Sequence, residues 1–247
     1  MKRWQPVVAA LSLLVVWHLA SVLLASPLLP RPLAVLAALQ RGAMGTLGRH
    51  FVASSWRVVA STLLAVVLGA PLGLLLGQSP LLNRLASPLV YVLYPIPKIV
   101  FLPLVLLFLG IGNASKIFII TLILFFQVLV VTRDAAAGLR PELIYSVRSL
   151  GAGRLALLRF VYLPATLPAV LTALRVSVGT AVAVLFFAES FATSAGLGYY
   201  IIVETWTRLA YAEMYAGVVA MSLLGLGLYF LIDVLERRLC PYLFLEE

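Results

Sequence analysis

Apolar residues in this chain fill blocks of membrane length, at about 7–25, 51–77, 88–109, 117–132, 165–188 and 214–231. A helix needs about 20 mostly apolar residues to cross the hydrocarbon core, and only helices and closed barrels satisfy every backbone group there. The pattern therefore predicts an all-α integral membrane fold of six transmembrane helices. The joints between blocks are short: a connector over 27–50 with a surface helix at 33–39, a polar turn over 78–84, and a flexible Gly196-Leu197-Gly198-Tyr199 connector before the last block.

Four blocks carry internal detail. The first follows Lys2 and Arg3, exceeds the ~7–15 apolar residues of a signal-peptide core and ends at Ser26-Pro27, a poor cleavage site, so it reads as an uncleaved helix. His18 inside it has no carboxylate or second histidine at helical spacing, which favours a packed or interfacial histidine over a ligand. The second block contains Gly69, Pro71, Gly73 and Gly77, small residues that let helix backbones approach in lipid. The third is interrupted at Pro95-Ile96-Pro97-Lys98. Two prolines remove backbone donors, and a break at membrane depth is tolerated only where protein or a water-filled cavity covers the freed groups. Lys98 there either snorkels toward an interface or lines a cavity. The fifth block carries Arg175 near its start and Glu189 at its end. Glu189 reads either as one half of an ion pair pinning the Gly196–Gly198 connector, with Arg57, Lys116 or Arg208 as partner, or as a gate residue on a solute path.

The long polar interruption, 133–168, holds Arg133, Asp134, Arg140, Glu142, Arg148, Arg154 and Arg159. Each of these charges would cost roughly 3 kcal/mol or more at the bilayer centre, so the segment faces water. Pro141 suits the first turn of a helix, and Leu143, Val147, Leu150 and Arg154 recur at helical spacing until Gly151 and Gly153 loosen it. A short amphipathic helix, a turn and a second helix are expected.

Composition narrows the class. Of 247 residues, 63% are hydrophobic and 11% charged, which excludes a soluble globular protein. The net charge of +9 is spread over block ends rather than gathered on one face, which argues for membrane orientation and against nucleic acid. With the amino terminus inside, inner ends collect Lys2, Arg3, Arg84, the arginines of 133–168, Arg237 and Arg238. Outer ends hold Arg31, Arg41, Arg49, Arg57, Lys116 and Arg208. The inside excess places both termini and the 133–168 loop in the cytoplasm. One cysteine, Cys240, allows neither an intrachain disulfide nor a cysteine metal cluster. The Gly110-Ile111-Gly112-Asn113-Ala114-Ser115-Lys116 stretch lacks the second glycine before the lysine and the hydroxyl residue after it that a phosphate loop needs.

After Gly151, nine residues precede Val161-Tyr162-Leu163-Pro164. This spacing resembles the cytoplasmic loop of permease subunits in ATP-binding cassette importers, with Tyr145-Ser146-Val147 where the family has Glu-Ala-Ala. Ser54-Ser55-Trp56-Arg57, Gly69-Ala70-Pro71-Leu72-Gly73-Leu74, Pro95-Ile96-Pro97-Lys98, Phe108-Leu109-Gly110-Ile111-Gly112 and Ala188-Glu189 with Gly196-Leu197-Gly198-Tyr199 resemble the nitrate, sulfonate and taurine type of these permeases.

The resemblance implies the type I importer permease fold: a first helix and connector at 1–50, then a core permease domain at 51–247. It implies a coupling site on an ATPase formed by Pro141, Glu142, Tyr145, Ser146, Arg148, Ser149, Leu150, Gly151, Ala152, Val161, Leu163 and Pro164. Tyr145 in place of the glutamate offers apolar contact instead of a specific polar one. A solute path or gate would involve Pro95, Pro97, Lys98, Glu189, Gly196 and Gly198. No catalytic or metal site is expected in this chain; ATP and Mg would sit on two partner ATPase subunits. The other implied partners are a second permease copy or close relative, a periplasmic or lipid-anchored solute-binding protein, and membrane lipid. The expected place is the bacterial inner membrane, and the expected solute a small one, an anion such as nitrate, sulfonate, taurine or bicarbonate, which relatives move. A secondary transporter or channel without an ATPase is the alternative, although its usual intramembrane carboxylates are scarce here. A membrane-embedded enzyme would need a polar constellation that the chain does not show.

Overall fold

The structure is a computed structural model that describes residues 4–191 and 193–243; Lys2 and Arg3 lie outside the described residues. Among the described residues the regular structure is helical, with no strand. In chain order the helices are α1 (Gln5–Leu24), α2 (Pro32–Ala43), α3 (Thr46–Gln78), α4 (Pro80–Leu93), α5 (Leu102–Leu109), α6 (Asn113–Ala137), α7 (Pro141–Ser149), α8 (Arg154–Leu157), α9 (Leu163–Ser190), α10 (Leu197–Tyr199) and α11 (Tyr211–Leu239). Five helical segments are long and apolar enough to span a membrane, and a sixth is obtained if α4 and the Lys98–Leu109 helix, bent by 76°, form one span.

Most helices outrun the apolar blocks that reveal them, because a hydrophobic run marks only hydrocarbon thickness while backbone hydrogen bonding continues into the interface. The connector after α1 contains α2, longer than the expected 33–39 helix, with Val35 and Ala38 buried. The expected turn over 78–84 shrinks to Ser79, which caps α4 by accepting from Leu82 N. Pro80 then starts that helix at a position where its missing N–H costs nothing. In the polar interruption, α8 passes through a wide turn, Leu158–Tyr162, directly into α9. Pro164 cannot donate to the preceding turn, and such a wide turn accommodates the missing bond.

The chain divides into two compact units, residues 1–55 with 189–224, and residues 56–188 with 225–247. In the first, Trp17 of α1 stacks on Tyr215 of α11 with ring centroids 5.9 Å apart. Leu47, Leu197, Tyr200, Ile201, Ala216 and Ala220 are buried. The expected flexible connector is instead packed helical structure: Leu197 is fully buried, and α10 leads through a wide turn (Tyr200–Thr205) and a tight one (Trp206–Arg208). Burial of Leu197, Tyr200 and Ile201 removes the freedom that two glycines suggest.

In the second unit, α3 lies against α6 along the small-residue stripe. A Cβ on Gly73 would come within 2.6 Å of Leu129 O and 2.7 Å of Thr132 Cβ, so only glycine permits this approach. The same pair is tied by Ser61 Oγ donating to Ile117 O (3.2 Å), Thr121 Oγ1 donating to Ser61 O (3.3 Å) and Arg57 Nε donating to Asn113 Oδ1 (2.8 Å). Arg175 of α9 pairs with Glu236 and Asp233 of α11, which accounts for that charge within a span.

Candidate functional site

Three local structures carry the residues singled out by the sequence. The first is the polar interruption. Arg140 is extended (φ −60°, ψ 128°) and Pro141 begins α7, with Glu142 in the first turn and Arg148 in the last, both favourable to the helix dipole. Ser146 Oγ donates to Glu142 O at 2.5 Å and Ser149 Oγ to Ser146 O at 2.9 Å. Ile144 and Val147 pack on a cluster of Leu74, Ala136, Leu157, Val161 and Tyr162. Around these two anchors Leu143 is exposed, Tyr145 is 65% exposed and Leu150, which caps the end of the helix, is 85% exposed. Helix α7 is thus mounted through Ile144 and Val147 and is exposed everywhere else.

Gly151 ends that helix in the left-handed region (φ +83°), its N–H donating to Arg148 O at 2.9 Å. Nothing lies within 4 Å of where its Cβ would be, so conformation and not space requires glycine. Ala152 is half-buried beside it. Val161 is buried beneath α7, whereas Leu163 is exposed and the Pro164 carbonyl accepts from the Tyr242 hydroxyl. The spacing from Gly151 to Pro164 therefore combines a helix stop, an anchor and a tail contact.

The second structure is the break between α4 and α5. Pro95 and Pro97 leave carbonyls without helical partners, and Lys98 answers them. Its ammonium donates to Leu93 O (3.0 Å), Tyr94 O (3.0 Å) and Ile96 O (3.3 Å), and sits 4.4 Å from the Phe126 ring centroid. Lys98 is 9% exposed and borders a cavity of about 330 Å³ that Tyr94, Gln127 and Thr180 also line. It does not snorkel; it caps the broken helix at a cavity wall. Tyr94 also borders two further cavities, one reaching Asn83, Ser87 and Arg133, the other reaching Thr172, Ser177 and Glu236. Sequence reasoning missed Tyr94, Gln127 and Thr180, although Gln127 is an amide inside an apolar block.

The third is built around Glu189, whose side chain is 0% exposed. Ser54 Oγ lies 2.9 and 2.7 Å from its two carboxylate oxygens, and Gly198 N donates to Oε2 at 3.1 Å. Leu197 N donates to Ser54 Oγ at 2.8 Å, and Gly196 N to His50 Nδ1 at 3.0 Å. With Nδ1 accepting, the His50 proton resides on Nε2, which faces Glu204 Oε1 at 3.3 Å. Gly196 has φ +123°, and a Cβ there would overlap the Glu189 carboxylate. Three consecutive backbone N–H groups, 196–198, are thus received by three side chains. Ser54 and His50 were absent from the expected site because nothing in the local sequence pairs them with residues so far along the chain.

Membrane-length helices, one span broken at a lined cavity and one polar helix with exposed apolar residues are the parts of an integral membrane transport subunit. Residues 65–240 match the family described as binding-protein-dependent transport system inner membrane component. The chain is 34% identical over 240 residues to the taurine transport system permease protein TauC of Escherichia coli (strain K12), covering 94% of this chain and 87% of that one. It is 36% identical over 221 residues to a putative ABC transporter permease protein of Methanocaldococcus jannaschii, covering 87% and 82%. Its fold is similar to a chain of the inward-facing MetNI methionine ABC transporter, with a TM-score of 0.67 at 22% identity, over 80% of this chain and 97% of that one.

The chain belongs to the binding-protein-dependent inner membrane permease family. It is a membrane-spanning permease subunit of an ABC importer and not an enzyme, and the alternative of a transporter without ATPase partners falls away with that membership. The family works generally with ATPase and solute-binding partners.

Proposed function

We propose that α7 is the surface through which this permease is driven by ATPase subunits, two of them serving a pair of permease copies, with a solute-binding protein delivering solute on the opposite side. The observation that carries this is the apolar exposure of α7: Leu143 and Tyr145 on the helix and Leu150 at its end are exposed, while Ile144 and Val147 anchor it. A helix mounted on a packed cluster transmits a push as a rigid body, the form that alternating access takes. Tyr145 supplies apolar contact where a polar one is usual. ATP and Mg belong to the partner subunits, and both termini lie in the cytoplasm, on the side of α7.

The solute path follows the break at Pro95, Pro97 and Lys98. Unwound backbone beside a cavity is how membrane transporters build sites at depth, and the three cavities bordered by Tyr94 support that course. The Glu189 cluster with Gly196 and Gly198 is a structural tie within its own unit. The likeness to a taurine permease favours a small polar organic solute.

The test is co-purification with the partner ATPase subunit. Tyr145→Asp and Leu150→Asp are expected to abolish capture and stimulated ATPase activity while the permease itself reaches the membrane with an unchanged unfolding midpoint. Full capture and full stimulation in both variants would overturn the reading.

A further inference from the structure

The cavity at the helix break, taken as part of the solute path proposed above, has a chemistry of its own. Each ammonium N–H of Lys98 meets a neutral backbone carbonyl, of Leu93, Tyr94 and Ile96. Those bonds hold the group in place and leave its charge unbalanced. Among the described residues, those lining the cavity include no carboxylate. A fixed cation in a low-dielectric wall raises the local concentration of anions.

Beside it Gln127 has a buried amide oxygen with no hydrogen-bond partner. A primary amide offers one acceptor and two donors, and a buried one is ordinarily matched. Thr180 adds a hydroxyl at the same wall. Capping three carbonyls explains Lys98 by itself, but it explains neither the open space nor the unmatched amide next to it. Lys98 has no hydrogen-bonding capacity left for a solute, so charge and hydrogen bonding are divided between different residues.

We infer that this cavity is a solute-reading subsite for small molecules bearing an anionic group, in which Lys98 contributes the field and Gln127 and Thr180 the hydrogen bonds. Gln127 then accepts from a donor on the same solute, or donates to its oxyanion through the amide nitrogen. A solute carrying an oxyanion and an N–H or O–H nearby satisfies all three residues at once.

The test uses the whole transporter with its ATPase subunits in phosphatidylcholine vesicles, where no anionic headgroup is present. Gln127→Cys and Thr180→Cys, each with Cys240→Ser, are treated with anionic sulfonatoethyl methanethiosulfonate or cationic trimethylammonioethyl methanethiosulfonate. Rates are normalised to each reagent's reaction with a free thiol. The anionic reagent should be favoured about tenfold, the preference falling to about one in Lys98→Met and surviving in Lys98→Arg. Equal rates, or a preference for the cation, in the protein with Lys98 intact would overturn the subsite even if Lys98→Met does not assemble. So would a preference indifferent to Lys98→Met. Failure of both reagents to react in any nucleotide state overturns the path reading itself.

Discussion

Ser54 and Glu189, 135 residues apart in the chain, share a single hydroxyl proton: Ser54 Oγ reaches both carboxylate oxygens, at 2.9 and 2.7 Å. The same Oγ accepts from Leu197 N, so one hydroxyl is fully used in a place with no access to water. Ser54→Ala removes a donor from a buried carboxylate and orphans a buried N–H. Its expected cost is about 1–3 kcal/mol, read as a lower thermal unfolding midpoint in detergent, with Ser54→Thr recovering most of it. A Ser54→Ala midpoint equal to the parent's would mean that the hydroxyl contributes nothing.

Glu189→Gln keeps the shape of the side chain but turns an N–H₂ toward donors on Ser54 or Gly198. One donor then opposes another, and the variant should be less stable than the parent protein. Gly196→Ala should fare worst, since alanine is strained at φ +123° and its methyl would overlap the carboxylate. Normal stability of Glu189→Gln with altered uptake would instead make Glu189 a gate residue.

At Gly151 the expectation is set by backbone angle. With open space around it and φ +83°, alanine and tryptophan should be similarly harmful to the end of α7, by about 1–2 kcal/mol. Gly153 also has open space but φ −77°, so Gly153→Ala should be nearly silent. The measurement is transport per ATP hydrolysed by the assembled complex. Harm from Gly151→Trp but not from Gly151→Ala would point to a steric role at an interface.

For the α3–α6 contact, Gly73→Ala places a methyl 2.6 Å from a backbone oxygen, and overpacking of this kind costs about 1–3 kcal/mol. Gly227→Ala in α11, with nothing within 4 Å, is the matched control. Differential scanning of the two purified variants should separate them by several degrees; coincident transitions would mean that the helices slide apart freely.

Lys98→Met deletes three hydrogen bonds to carbonyls that no helix satisfies. At about 1 kcal/mol each, the loss should be visible as poor accumulation in the membrane and a lowered midpoint. Lys98→Arg, which keeps donors and charge, should restore part of both. Full stability of Lys98→Met would show that the break supports itself.

The amino-acid order alone makes legible that this chain is a helical membrane protein, where most of its spans lie, that one span breaks at Pro95 and Pro97, and that α7 begins at Pro141 and stops at Gly151. These are local consequences of hydrocarbon thickness, missing N–H donors and left-handed backbone angles, each carried by neighbouring residues. It did not determine that the Gly196–Tyr199 stretch is packed, because burial of Leu197 depends on residues brought from elsewhere in the chain. Nor could it pair Ser54 with Glu189 or Gly196 with His50, since two polar residues in distant helices become partners only when folding excludes water from both. Lys98 shows the division within one residue. Its position beside the break was legible as a charge at membrane depth, but which groups its three N–H bonds meet is a matter of distance, fixed when the chain folds.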